Sequence, residues 1–138
     1  MDKIKYFILI VTLLAVGLTA SGCQVVKVED VRIEDLDYTV VRERDIPEEL
    51  LSVIQEKKSE PFELTYEQEG YLYVVRGYGK KDTGGYSISV ADLYLGKNGI
   101  YAELNLTGPE TIEEGAVGVS YPYIVLKLEG RTEPVYFK

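Results

Sequence analysis

Residues 86–107 read YSISVADLYLGKNGIYAELNLT. Tyr86, Ile88 and Val90 alternate with Ser87 and Ser89, the two-residue period of a strand with one face on a core. The strand is expected to continue to Leu95. Ile100, Ala102, Leu104 and Leu106 then alternate with Tyr101, Glu103, Asn105 and Thr107. Between the runs stands Lys97-Asn98-Gly99. Asn-Gly marks a tight hairpin, because both residues tolerate positive φ. The stretch is therefore expected to be an antiparallel hairpin, with the first set of side chains in a core and Tyr101 and its companions facing water.

The same pattern extends outward from this hairpin. Upstream, Phe62, Leu64 and Tyr66 alternate, and YLYVVRGY (71–78) reads as a strand whose second face is also partly buried. Downstream, Tyr121–Leu128 (YPYIVLKL) is a strand entered through Pro122, Gly130 marks a turn, and EPVYFK (133–138) closes the sheet. Gly108–Ser120 is a long acidic loop. DYTVVRER (37–44) is an earlier strand, and residues 24–35 form a tether leading into a first one. One helix interrupts the β pattern, at about 47–57. Asp45 is placed to cap it and Pro47 fits its first turn. Glu48 and Glu49 suit the positive end of its dipole, and Lys57 and Lys58 the negative end. Leu50, Leu51 and Ile54 give the buried stripe. The expected fold is an antiparallel β-sandwich or barrel-like sheet with one short α-helix.

The N-terminus points to export. Lys3 and Lys5 precede the uncharged run YFILIVTLLAVGLTA (6–20). A membrane-spanning helix needs about 20 apolar residues, so this shorter run reads as a signal peptide. It ends in Ala20-Ser21-Gly22-Cys23, similar to a bacterial lipobox, in which the cysteine becomes the lipidated first residue. Cys23 is the only cysteine, so it has no partner for an intramolecular disulfide. The domain reading is a signal peptide over 1–22, a tether and first strand over 23–36, and a β domain over 37–138. Removing Asp2, Lys3 and Lys5 from 23 acidic and 15 basic residues leaves a net charge near −9. That balance argues against nucleic acid, and against a surface lying on anionic lipid. The expected location is the outer face of a bacterial membrane, anchored through Cys23.

The residue inventory narrows the chemistry. With no His, the chain has no imidazole base and no Ser–His nucleophile. Gly77-x-Gly79 ends a strand and does not open a helix, so it is no dinucleotide fingerprint. Carboxylates are spread along turns and edges, as on a solvated acidic surface. Glu110, Glu113 and Glu114 could gather calcium only without the spacing of a known calcium loop. No catalytic residue, cofactor or metal is assigned, and the chain is read as a non-enzyme. Twelve Tyr and no Trp suit either aromatic ladders on a sheet or a tyrosine-rich contact surface.

Two segments stand out. GKKDTGGY (79–86) carries two adjacent glycines, more than a tight turn requires. Ser120-Tyr121-Pro122-Tyr123 sets two aromatic rings around a proline. Each has a plain alternative: a lysine-rich turn, and a proline blunting an edge strand. Together, KDTGGYS (81–87) followed by YPYIVLKL (121–128) resembles the C-terminal domain of the protease complex subunit PrcB, whose members carry a K-P-T-G-G-Y-S motif and a later Y-P-Y before an apolar strand. Asp82 stands where that family has proline. The segment DIPEELL (45–51) also looks like the one preceding this domain in relatives. The resemblance implies a lipoprotein that binds and stabilises an exported, subtilisin-like protease. A fainter likeness joins Thr83-Gly84-Gly85-Tyr86 and Tyr121-Pro122-Tyr123 to the two loops of chagasin-type protease inhibitors, N-P-T-T-G-Y and R-P-W. It implies loops presented to a protease cleft. Thr83, Gly84, Gly85, Tyr86, Tyr121, Pro122 and Tyr123 are the candidate contact residues. Protease stabiliser, loop-presenting inhibitor, and structural envelope lipoprotein or ligand-binding module without a protease partner are the three readings.

Overall fold

A computed structural model describes residues 31–111 and 118–138. The signal peptide, Cys23, most of the tether, and Glu113 and Glu114 lie outside these residues. Eight strands form two four-stranded sheets. One has the order β1 (Arg32–Asp35), β5 (Ser87–Gly96), β6 (Gly99–Thr107), β8 (Val135–Phe137). The other has the order β2 (Thr39–Val40), β7 (Tyr123–Glu129), β4 (Tyr71–Tyr78), β3 (Pro61–Gln68). The sheets face each other as a sandwich, with no closed barrel. All pairs are antiparallel except β6–β8, which is parallel. A final strand was expected to close the sheet; its direction departs from the all-antiparallel expectation.

The sheet β2-β7-β4-β3 is covered on both faces. Leu72, Val74, Ile124, Leu126 and Leu128 point to the opposite sheet, where they meet Leu93, Leu95, Ile100, Ala102 and Leu104. Tyr73, Val75 and Val125 point the other way, toward Ile46, Leu50 and Ile54. The last two belong to the helix α1 (Glu48–Lys57). Alternation therefore gives β4 four consecutive buried residues, Leu72 to Val75, as its sequence suggested. The layers are helix, sheet, sheet.

Helix α1 lacks the expected cap. Pro47 occupies the N-cap position and no side chain caps the helix. Asp45 instead ends a 3-10 turn (Glu43–Asp45), and its carboxylate accepts from Arg42 Nε at 3.1 Å. That 3-10 turn also cuts the expected strand at 37–44 down to Thr39–Val40. The stripe was read correctly: Leu50 and Ile54 are buried, and Leu51 packs beside them.

The hairpin at 86–107 is present, but its turn works differently. Gly96 pairs with Gly99 across Lys97-Asn98, and neither turn residue has positive φ. The left-handed pair lies elsewhere, at Glu69 (φ 51) and Gly70 (φ 79), joining β3 to β4. Positive φ at both central positions is the type I′ pattern that tight hairpins favour. The register of β5 also slips between Val90 and Asp92. Beyond that bulge the outer face carries a tyrosine ladder: Tyr94 stacks on Tyr101 and Tyr101 on Tyr136, both at 5.3 Å between centroids. Tyr101 is thus buried, contrary to the water-facing placement expected from alternation. Arg32 lies over Tyr94 at 4.1 Å and pairs with Asp92, holding that carboxyl below its ordinary range.

The two ends of the sandwich differ. Arg32 pairs with Gly96, so the described chain starts at the end that carries the 96–99 hairpin, the Glu69-Gly70 turn and Gly130. Tyr78, Lys81, Tyr86 and Ser120 lie at the other.

Candidate functional site

The two motif segments form one unit. Strand β4 ends at Tyr78, and Lys81 then makes a two-bond bridge to Ser120: Lys81 N–H donates to Ser120 O at 2.8 Å and Ser120 N–H to Lys81 O at 3.0 Å. Ser120 Oγ donates to the Thr83 carbonyl at 2.6 Å. Tyr78 N–H donates to the Pro122 carbonyl at 2.9 Å. Four hydrogen bonds therefore tie the glycine-rich loop to the start of β7. Each contributes about 1 kcal/mol net, enough together to fix one loop against the other.

Within this unit, Gly85 takes φ 84, a left-handed conformation that admits glycine without strain. It turns the chain so that Tyr86 enters β5. Gly84, which has no positive φ, shows no such requirement. The Tyr86 ring is half-buried, packed over Gly108, where an added Cβ would lie 3.1 Å from the ring. Lys81 Nζ stands 5.9 Å from the ring centroid. Tyr121 is likewise half-buried, with Lys58 Nζ 4.9 Å over its ring. These separations are within cation–π range. Tyr123 behaves differently. It joins the helix-side core, and its hydroxyl is buried with no hydrogen-bond partner among the described residues. Burial, with the Glu43 carboxylate nearby, raises its ionisation above the ordinary tyrosine value.

A groove of about 310 Å³ runs between Val40, Val41 and Glu43 on one side and Tyr121 to Val125 on the other. The structure thus brings all seven sequence-selected residues to one end. All three tyrosines are partly buried, and Tyr123 packs against the margin of the helix-side core. Sequence reading missed Lys58, Tyr78 and Ser120, which bind or flank the motifs. One signal was available: Lys57-Lys58 and Lys80-Lys81 are two of the few paired cations in an acidic chain. The unit offers hydroxyls, ammonium groups and aromatic rings. Among the described residues, no three His, Cys, Asp or Glu side chains are grouped to hold a metal ion.

Residues 72–129 match the PrcB C-terminal family. The matched segment is β4 to β7 and contains both motifs, in agreement with the resemblance read from them. Residues 37–71 and 130–138 fall outside it, although β3, β2 and β8 pair directly with β4, β7 and β6. No curated protein and no solved structure matches the chain.

Proposed function

We propose that this chain is a non-catalytic lipoprotein, anchored outside a bacterial membrane through Cys23, that binds and stabilises an exported, subtilisin-like protease. The observation that carries the reading is the bonding of the 81–86 loop to the 120–123 segment. Two motifs 37 residues apart form one pre-ordered surface of half-buried tyrosines rimmed by Lys58 and Lys81. Preorganisation reduces the entropy lost on binding, and tyrosines that are rigid before contact make efficient anchors. The match of residues 72–129 to the PrcB C-terminal family supports a protease as the partner.

The test is capture from detergent-solubilised membranes with the full chain, read by mass spectrometry. The wild type should enrich an exported protease. Tyr86→Ala should weaken binding by about 2 kcal/mol, roughly thirty-fold in Kd, with its melting temperature retained. Absence of any protease from the wild-type eluate would reject the partner. Loss of radiolabelled palmitate from Cys23→Ala checks the anchor separately. An activity assay on the captured protease then separates stabiliser from inhibitor, since an inhibitor slows turnover in proportion to its dose.

A further inference from the structure

Among the described residues, β3 is the longest strand that stands at the edge of a sheet. It pairs with β4 over all eight residues, and it is the last strand in its sheet. The two-residue turn at Glu69-Gly70 makes Gln68 and Tyr71 a hydrogen-bonded pair. By antiparallel alternation, Phe62, Leu64 and Tyr66 also spend their backbone groups on β4. Glu63, Thr65 and Glu67 therefore direct their N–H and C=O groups outward. Their side chains point toward the opposite sheet, but the edge strand there, β8, has only three residues. Glu63, Thr65 and Glu67 remain exposed.

At its upstream end this edge opens into a groove of about 600 Å³ lined by Pro61, Phe62, Glu63, Arg76, Tyr78 and Lys81, with Gly77 in its floor. Lys81 and Tyr78 belong to the joined motif loops, so groove and loops are continuous. The Tyr78 hydroxyl beside it is buried with no hydrogen-bond partner among the described residues.

Charge selects the occupant. Glu60, Glu63, Glu67 and Glu69 lie along this edge, and all four are exposed. Only Glu63 has a cationic neighbour among the described residues, Arg76 at 3.8 Å. A second copy is disfavoured. The register that engages Glu63, Thr65 and Glu67 of both copies sets Glu63 opposite Glu67 twice, and like charges directly opposite destabilise a strand pair. The same carboxylates favour a strand with cations at matching alternate positions.

We infer that β3 is a docking edge for an extended, basic segment of a partner protein, which adds as a fifth strand with Lys or Arg side chains opposite Glu63 and Glu67. Backbone bonds to residues 63, 65 and 67 give the affinity, and the spacing of the two carboxylates gives the specificity. This deepens the partner-binding reading, but its test needs no protease, so either can fail alone.

The probe is a fluorescein-labelled nine-residue peptide of alternating Lys and Val, titrated into the full chain in nonionic detergent. A counterpart with Glu for Lys is the control. The Lys peptide should bind at least tenfold more tightly than the control and slow amide exchange at Glu63, Thr65 and Glu67. The double variant Glu63→Lys, Glu67→Lys should reverse the preference. Thr65→Pro, which removes an outward N–H that β4 does not use, should abolish binding with the melting transition retained. Binding that leaves those three amides unprotected, or ignores the charge reversal, would overturn the inference. So would the absence of binding. Amides already protected without peptide, in proportion to protein concentration, would show that a second copy holds the edge.

Discussion

The two faces of the central sheet are built from different residues. Toward the second sheet, the buried contacts are made by Leu, Ile, Val and Ala alone. Toward the helix, Tyr73 is buried, and Tyr66, Tyr123 and Phe62 pack at the margin. Tyr66 donates to Glu49 at 2.8 Å, which raises its ionisation. The aliphatic face has no polar atoms to satisfy, so it can be packed tightly and changed only at a cost. The aromatic face keeps the Tyr66 hydroxyl on the exposed Glu49 and runs into the joined motif loops through Tyr123. Both sides bury aliphatic side chains, Leu50, Ile54, Val75 and Val125 among them on the helix side, but only the helix side adds tyrosines that lead to the joined loops.

The largest effect should come from the aliphatic face. Leu126 is fully buried, and Leu126→Ala removes a side chain whose cavity the two sheets cannot close. It should cost about 3 kcal/mol by denaturant unfolding. A loss below about 1 kcal/mol would erase the contrast between the faces. Ser120→Ala should cost about 1 kcal/mol and act locally. Exchange of the amides bridging Lys81 and Ser120 should speed up about fivefold, with the unfolding midpoint little changed. Equal acceleration across β4 would show that the bridge is part of the global fold and not a separate clasp.

The smallest effect is expected at Tyr123. Its hydroxyl is buried with no hydrogen-bond partner of good geometry among the described residues, so Tyr123→Phe should be neutral or stabilising by up to about 1 kcal/mol. It also bears on alkaline stability. Tyr78 and Tyr123 both have ionisation raised by burial, so the unfolded chain releases these protons first. Stability should be fully present below about pH 10 and fall as pH rises through the folded-state values. Tyr123→Phe should flatten that decline, as followed by tyrosinate absorbance and melting. An unchanged slope would mean that Tyr123 ionises as freely as an exposed tyrosine.

Much of the strand pattern was legible because a period of two is a direct imprint of burial. Ile88, Val90, Ile100, Ala102 and Leu104 all face the core as their spacing implied. Three features were not legible. The bulge between Val90 and Asp92 has no composition of its own, so the buried run at Leu93 to Gly96 could not be read from alternation. Tyr101 is covered by its hairpin partner Tyr94 and by Tyr136, which is distant in sequence, so its environment depended on β8 lying beside β6. Asp45 had the right chemistry for a cap, but Arg42 lies three residues before it and takes the carboxylate. At the site, KDTGGY and YPY could be picked out as unusual segments. That they are bonded to each other depended on Ser120, whose lone hydroxyl gives no sign in the sequence of a partner at Thr83.

The placement of the chain's start opposite the joined loops sets a stand-off height. Seven residues lie between Cys23 and Val31, and an extended chain advances at most about 3.5 Å per residue, so the eight steps span at most about 28 Å. The eight-residue strand β4 adds about 27 Å along its length. On the proposed lipid anchor at Cys23, the leash and β4 together would put the tyrosine-bearing end at most about 55 Å from the bilayer. That reach exceeds the Debye length, so the loops of a protein so anchored would meet a partner outside the field of the lipid headgroups.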